Sequence, residues 1–90
     1  MSYFVYILRT SSDTLYIGQT NNLEKRLHEH KSKSSKSAKY LRPFSTFSVV
    51  YKEIFTTRVE AMRREMQLKN WTKVKKEALI KGNSVGLKKL

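Results

Sequence analysis

Apolar positions along this chain fall into short blocks of two different periods. Tyr3-Phe4-Val5-Tyr6-Ile7-Leu8 is an unbroken aromatic and aliphatic run, and Leu15-Tyr16-Ile17 is a shorter one closed by Gly18. Such blocks predict strands over residues 3–9 and 15–19. The polar stretch Thr10-Ser11-Ser12-Asp13-Thr14 between them has turn composition, and so short a connection predicts an antiparallel hairpin. The period then changes. Leu23, Leu27 and His30 recur at i, i+4, i+7 and predict a helix to about residue 31. Asn21 or Asn22 can cap it, with Glu24 three residues after Asn21 as in a capping box. Beyond Pro43, Phe44 to Ile54 alternates as a third strand, expected to pair with the hairpin. Thr57 and Glu60 make a second capping box, opening a helix to about Asn70. In it Val59, Met62 and Met66 form one apolar row, and Ala61, Glu65 and Leu68 a second. Trp71-Thr72 breaks the pattern. Val74, Ala78 and Leu79 mark a further short helix, with Lys73, Lys75, Lys76 and Lys81 exposed, that Gly82-Asn83 is expected to stop. Val85, Leu87 and Leu90 are available to pack back on the body. No internal repeat is visible, and residues 1–90 read as one domain.

The face on which each tyrosine stands depends on the hairpin loop. An odd loop centred on Ser11 pairs Tyr6 directly with Tyr16 and puts both rings on one face; an even loop without a bulge puts them on opposite faces. Arg26 and His30 are i, i+4 neighbours at the edge of the buried helical stripe, placed to lean over the same end of the hairpin. Glu65 sits beside apolar positions. A salt bridge to Arg63, Lys69 or Arg26 accounts for that as readily as a functional role does.

Composition narrows the chemistry. A chain of 90 residues supports one modest core and buries only about 60–65% of its unfolded surface. With no cysteine and two histidines, neither a disulfide nor a structural zinc site is available. There is no basic segment followed by a long apolar one at the N-terminus, and no run near the ~20 apolar residues of a membrane span, so the expected location is cytoplasmic. Nineteen Lys and Arg against seven acids give a formal net charge of +12, which points to a polyanion, nucleic acid above all. Residues 31–39 form a serine- and lysine-rich loop. Either it is a solvated linker, or Lys31, Lys33, Lys36 and Lys39, with Tyr40 and Arg42 at its base, contact phosphates. Lys69 is a further candidate contact.

The sequence has no glycine-rich phosphate loop, no cysteine nucleophile, no histidine-rich cluster and no close acid pair of the glycosidase kind. What remains is two tyrosines, an arginine, a histidine and a glutamate on a basic body, a set that suits phosphodiester hydrolysis. That reaction needs a deprotonated water and stabilised charge on the transition state and the leaving oxygen. One carboxylate can hold a Mg²⁺ that keeps most of its waters. Arg26 can neutralise phosphate charge with its planar fork, and Tyr6 or Tyr16 can position or deprotonate the water. Ionising a tyrosine at neutral pH costs roughly 4 kcal/mol, which a nearby guanidinium and cation offset; His30 can share the proton traffic. Taken singly, each residue also reads as ordinary core or surface, and only the arrangement favours a site.

That arrangement carries a resemblance. Phe4-Val5-Tyr6, Tyr16-Ile17-Gly18 and Gly18-x-Thr20-x-Asn22-Leu23-x-x-Arg26-x-x-x-His30 resemble the GIY-YIG nuclease family, in particular its small stand-alone bacterial members. The likeness continues through Ala38-Lys39-Tyr40, Arg42-Pro43, Val50-Tyr51-x-Glu53, Arg64-Glu65-x-Gln67-x-Lys69-x-Trp71, Lys76-x-x-Leu79-Ile80 and Asn83. The first motif reads Phe-Val-Tyr in place of Gly-Ile-Tyr, with the tyrosine kept. The resemblance implies an α/β (α+β) fold: a small three-stranded antiparallel sheet flanked by three or more helices. It implies an endonuclease acting on DNA with a divalent metal, Mg²⁺ or Mn²⁺. It implies that Tyr6 and Tyr16 are the catalytic tyrosines, that Arg26 stabilises phosphate charge and His30 assists, that Glu65 binds the metal and that Asn83 is the late polar residue of the site. Family members that cut specific sites usually carry extra binding domains, so weak sequence preference and selection by DNA structure are expected, with repair or recombination as the expected setting. The competing readings are a non-catalytic nucleic-acid-binding module on the same fold and an RNA-directed or ribosome-associated protein. No obligate protein partner is evident.

Overall fold

The computed structural model describes residues 2–32 and 46–84, and for Asn83 and Ser84 the backbone alone. The two apolar blocks form strands β1 (Tyr3–Thr10) and β2 (Leu15–Thr20). Their loop is closed by Thr10, whose hydroxyl takes the backbone N–H of Ser12 at 3.3 Å and of Thr14 at 3.2 Å. Asp13 supplies the turn's left-handed residue, with φ 64°, a conformation that a short polar side chain tolerates better than most. A loop of this kind has an odd number of residues. Helix α1 (Leu23–Ser32) follows. Its cap is Asn22, whose side-chain oxygen accepts from the Lys25 N–H at 3.1 Å; of the two asparagines considered, Asn22 therefore fills the position, and Glu24 falls one residue short of a capping box.

Strand β3 (Phe47–Phe55) pairs with β1 on the side away from β2, so the antiparallel sheet has the order β2-β1-β3. A register shift between Ile7 and Leu8 leaves Val50 unpaired between Tyr51 and Val49, a bulge that bends the strand. Helix α2 (Arg58–Lys69) starts where the capping box predicts, with the Glu60 N–H donating to the Thr57 hydroxyl at 3.2 Å. Helix α3 (Lys73–Ser84) opens on Thr72, whose hydroxyl takes the Lys75 N–H at 3.2 Å. Gly82-Asn83 does not stop it; the helix runs on through both to Ser84. One helical glycine costs only about 1 kcal/mol, too little to end a helix by itself.

Alternation along β1 sends two sets of side chains to two layers. Val5, Ile7, Ile17 and Tyr51 meet Ala61 and Leu68 of α2, with Trp71, Leu79 and Ile80 packed around them. Tyr6 and Leu8 pack against Tyr16, Phe47 and the α1 residues Leu23 and Leu27. The sheet thus lies between α1 on one face and α2 with α3 on the other. Of the two rows expected on α2, only the second is inside. Ala61 and Leu68 are fully buried, whereas Val59, Met62 and Met66 are 55%, 46% and 67% exposed. The small Ala61 lets that side of the helix approach the sheet closely. Val74 of α3 is likewise on the outside, and Lys76, expected there, is half-buried. Residues 44 and 45, expected to begin the third strand, and the apolar tail residues lie outside the described residues.

Candidate active site

The site is built on the α1 face of the hairpin. In the β1–β2 register Tyr6 lies opposite Gly18 and Tyr16 opposite Leu8. The tyrosines therefore share a face, as an odd loop requires, but as diagonal neighbours and not a direct pair. The loop is centred on Ser12, one residue later than Ser11. Their ring centroids are 6.5 Å apart. Gly18 makes this possible: a Cβ there would stand 2.5 Å from Tyr6 Oη and 2.7 Å from Cζ, so only a glycine lets the Tyr6 ring lie across β2.

His30, from the last turn of α1, is fully buried. A 3.0 Å hydrogen bond links its Nε2 to Tyr6 Oη. Its ring centroid lies 5.8 Å from that of Tyr16, edge-on, and 6.2 Å from that of Phe47, also edge-on. Burial pushes the imidazole down to about 4, helped by the positive charge of Arg26 and opposed by Glu29. At neutral pH the ring is uncharged, and either tautomer can make the bond to Tyr6. Tyr6 is 1% exposed. Burial raises its hydroxyl well above the ordinary tyrosine value, Tyr16 adds to the rise, Arg26 beside it works the other way, and Glu65 adds a small further rise. Arg26 donates to Glu29 at 2.9 Å. Of the two tyrosines, Tyr16 is the one that solvent reaches, being half-buried.

Glu65 comes from α2, on the other side of the sheet, and its field reaches Tyr6. Of the three ion-pair partners that spacing allowed, Lys69 is the one found, at 3.1 Å. Among the described residues no three His, Cys, Asp or Glu gather. One carboxylate fits a hard cation of the Mg²⁺ kind, which keeps several waters and is shared with substrate phosphate; it does not fit a closed protein cage. Asn83 lies in the last turn of α3, and its side chain lies outside the described residues. So do Lys33, Lys36, Lys39, Tyr40 and Arg42. Lys31 is exposed at the end of α1, and Lys69 is exposed beside Glu65. The structure thus brings together Tyr6, Tyr16, Arg26 and His30, with Glu65 in electrostatic reach. Two neighbours were missed by sequence reasoning. Glu29 was visible as the i+3 partner of Arg26. Phe47, delivered by β3 from far along the chain, gave no local signal.

Comparison with known proteins decides the ancestry of this cluster. The model of the GIY-YIG catalytic domain matches residues 2–78. The chain belongs to the GIY-YIG family. Among its relatives, a UPF0213 protein of Bacillus pumilus is 40% identical over 88% of this chain and 79% of its own length. A UPF0213 protein of Oceanobacillus iheyensis is 42% identical over 87% of this chain and 88% of its own. The solution NMR structure of a UPF0213 protein from Bacillus halodurans superposes with a TM-score of 0.59 at 34% identity, covering 90% of this chain and 84% of that one. The sheet and three helices of the GIY-YIG protein described here match that neighbour, as the sequence predicts. GIY-YIG catalytic domains are those of endonucleases, which act on nucleic acid and generally use divalent metals. Among the described residues no helix is long and apolar enough to cross a membrane.

Proposed function

We propose that this protein is a divalent-metal-dependent endonuclease that hydrolyses phosphodiester bonds of DNA, selecting by structure with weak sequence preference. The observation that carries the reading is the gathering of Tyr6, Tyr16 and His30 on one sheet face, with a 3.0 Å Tyr6–His30 hydrogen bond and Arg26 beside it. Tyr16 is the group that meets the attacking water, because solvent reaches it while Tyr6 is shut in and its hydroxyl is held in the neutral form. Tyr6 and His30 stand behind as the pair that fixes the hydroxyl and ring positions. Arg26 turns from Glu29 toward the phosphate, where its planar fork stabilises the charge that develops. Glu65 is the residue that would hold Mg²⁺ or Mn²⁺, releasing Lys69 as it does so. When bound, the cation supplies Lewis-acid polarisation of the phosphate and charge for the leaving oxygen. Asn83, Tyr40 and the basic residues at positions 31, 33, 36, 39, 42 and 69 complete the proposed contacts to substrate.

The test is cleavage of supercoiled plasmid, single-stranded DNA, a branched DNA and a structured RNA, with Mg²⁺, Mn²⁺ or EDTA. Glu65→Ala and Tyr16→Phe are each expected to lose at least roughly a hundredfold in rate, the scale of a positioned acid–base group, with binding kept. Absence of cutting on every substrate, with salt-sensitive binding retained, would make the protein a non-catalytic nucleic-acid-binding module.

A further inference from the structure

Beside the tyrosine cluster, where β2 forms an outer edge of the sheet, lies an open hollow lined by Leu15, Tyr16, Ile17, Lys69 and Lys76. Its walls carry two ammonium groups and no acid. Lys69 shares its charge with Glu65. Lys76 is different. It is half-buried on α3, and among the described residues its ammonium has no ion-pair partner, although the nearby Glu77 is fully engaged by Arg9 at 2.6 and 2.7 Å. With no acid on the walls to answer it, that charge is available to an anion. Leu15, Ile17 and the half-buried Tyr16 complete its lining.

We infer that this hollow is a second phosphate subsite, holding a nucleic-acid strand next to the reacting position, with Lys76 as its principal contact. Two features favour a strand over an isolated anion. The hollow shares Tyr16 with the candidate active site and reaches Glu65 through Lys69, so a polymer seated at one continues into the other. Leu15, Ile17 and Tyr16 in its lining also suit a sugar or base face lying between two phosphates. When Glu65 takes up a cation, Lys69 is freed to become the second phosphate contact. The inference rests on the reading of the protein as one that binds nucleic acid.

The experiment is titration of a 5′-fluorescein-labelled single-stranded oligonucleotide by anisotropy in EDTA, where no cutting interferes, across 50–200 mM salt. Lys76→Met is expected to weaken binding about tenfold at the low end and to lower the slope of log K against log salt by about one. Lys76→Arg is expected to restore both. Lys25→Met, which removes an equal charge from the exposed side of α1, is the control. Wild-type binding with Lys76→Met no weaker than Lys25→Met would overturn the subsite alone. A wild type that binds no oligonucleotide would overturn the functional reading and the subsite with it.

Discussion

His30 is a basic side chain placed entirely out of water. Around it stand Tyr6, Tyr16 and Phe47, with Arg26 and Glu29 of its own helix the charges that act on it. Its folded value of about 4 lies below the ordinary 6.5. Between those two values the unfolded chain binds more protons than the folded one, so stability rises with pH there. The contribution is complete above about 6.5 and is lost progressively as the pH falls toward 4, up to roughly 3 kcal/mol in all. We therefore expect the urea midpoint of the wild type to fall steeply between pH 6.5 and 4.5, and that of His30→Gln, starting lower at pH 7, to change much less. Equal slopes for the two proteins would show that His30 does not carry the transition. The residue identities of this cluster were legible in the sequence because tyrosine, arginine and histidine recur at spacings that strand and helix periods can bring together. Their states were not. That Tyr6 is shut in and Tyr16 open follows from Gly18 opposite Tyr6 and from Phe47 closing over His30, and neither was indicated by local pattern.

Charged side chains also tie elements to one another here, beside the apolar core. Arg64 of α2 clasps Glu53 of β3 through two bonds, at 2.9 and 3.0 Å, and donates to Gln67 at 2.7 Å. Its guanidinium lies 5.2 Å from the Trp71 ring centroid, where Lys75 stacks as well at 4.4 Å. Tyr51 also donates to Glu53, and burial together with that carboxylate pushes its hydroxyl up to about 12. Glu53 thus ties the sheet to the helix that bears Glu65. Glu53→Ala strips partners from a mostly buried guanidinium and a phenol at once and should cost about 2–3 kcal/mol. Arg64→Lys keeps the charge, loses the fork and should cost about 1 kcal/mol. Chemical denaturation checks both, against Lys25→Ala, which should stay within about 0.5 kcal/mol of wild type. The order of strands and helices was readable because each block has its own period and its own cap. Which row of α2 turns inward was not: the first row, Val59, Met62 and Met66, is the more apolar by sequence, yet close approach at Ala61, together with the Glu53–Arg64 clasp, accompanies burial of the second. The hairpin was misplaced by one residue for a similar reason. Thr10 and Thr14 bond to each other at 2.6 Å and so fix Ser12 as the centre, a choice that composition between Thr10 and Thr14 does not reveal.

At the scale of the whole molecule the acids are mostly committed while the cations remain in excess. Five of the seven acids, Asp13, Glu29, Glu53, Glu65 and Glu77, are spent in ion pairs within the chain. Those pairs use up few of the 19 Lys and Arg, and the formal net charge stays at +12. Internal pairing therefore stabilises the fold without providing acids to shield the remaining cations, which raise the local concentration of a polyanion around the protein. Binding to duplex DNA should accordingly be driven by counterion release. With about six phosphate contacts, log K should fall against log salt with a slope near −5, a loss on the order of a thousandfold between 50 and 200 mM. The slope counts contacts, so it should be nearly the same for unrelated sequences, whereas a preference for branched over linear DNA should appear as a constant offset between parallel lines. Anisotropy titrations over that salt range measure both quantities. A flat response would mean that partners are held through apolar or hydrogen-bonded contacts, and the basic surface would then serve solubility alone. Parallel steep lines separated by an offset would locate substrate choice in DNA shape, read by how a bent or opened strand meets the domain, and not in base sequence.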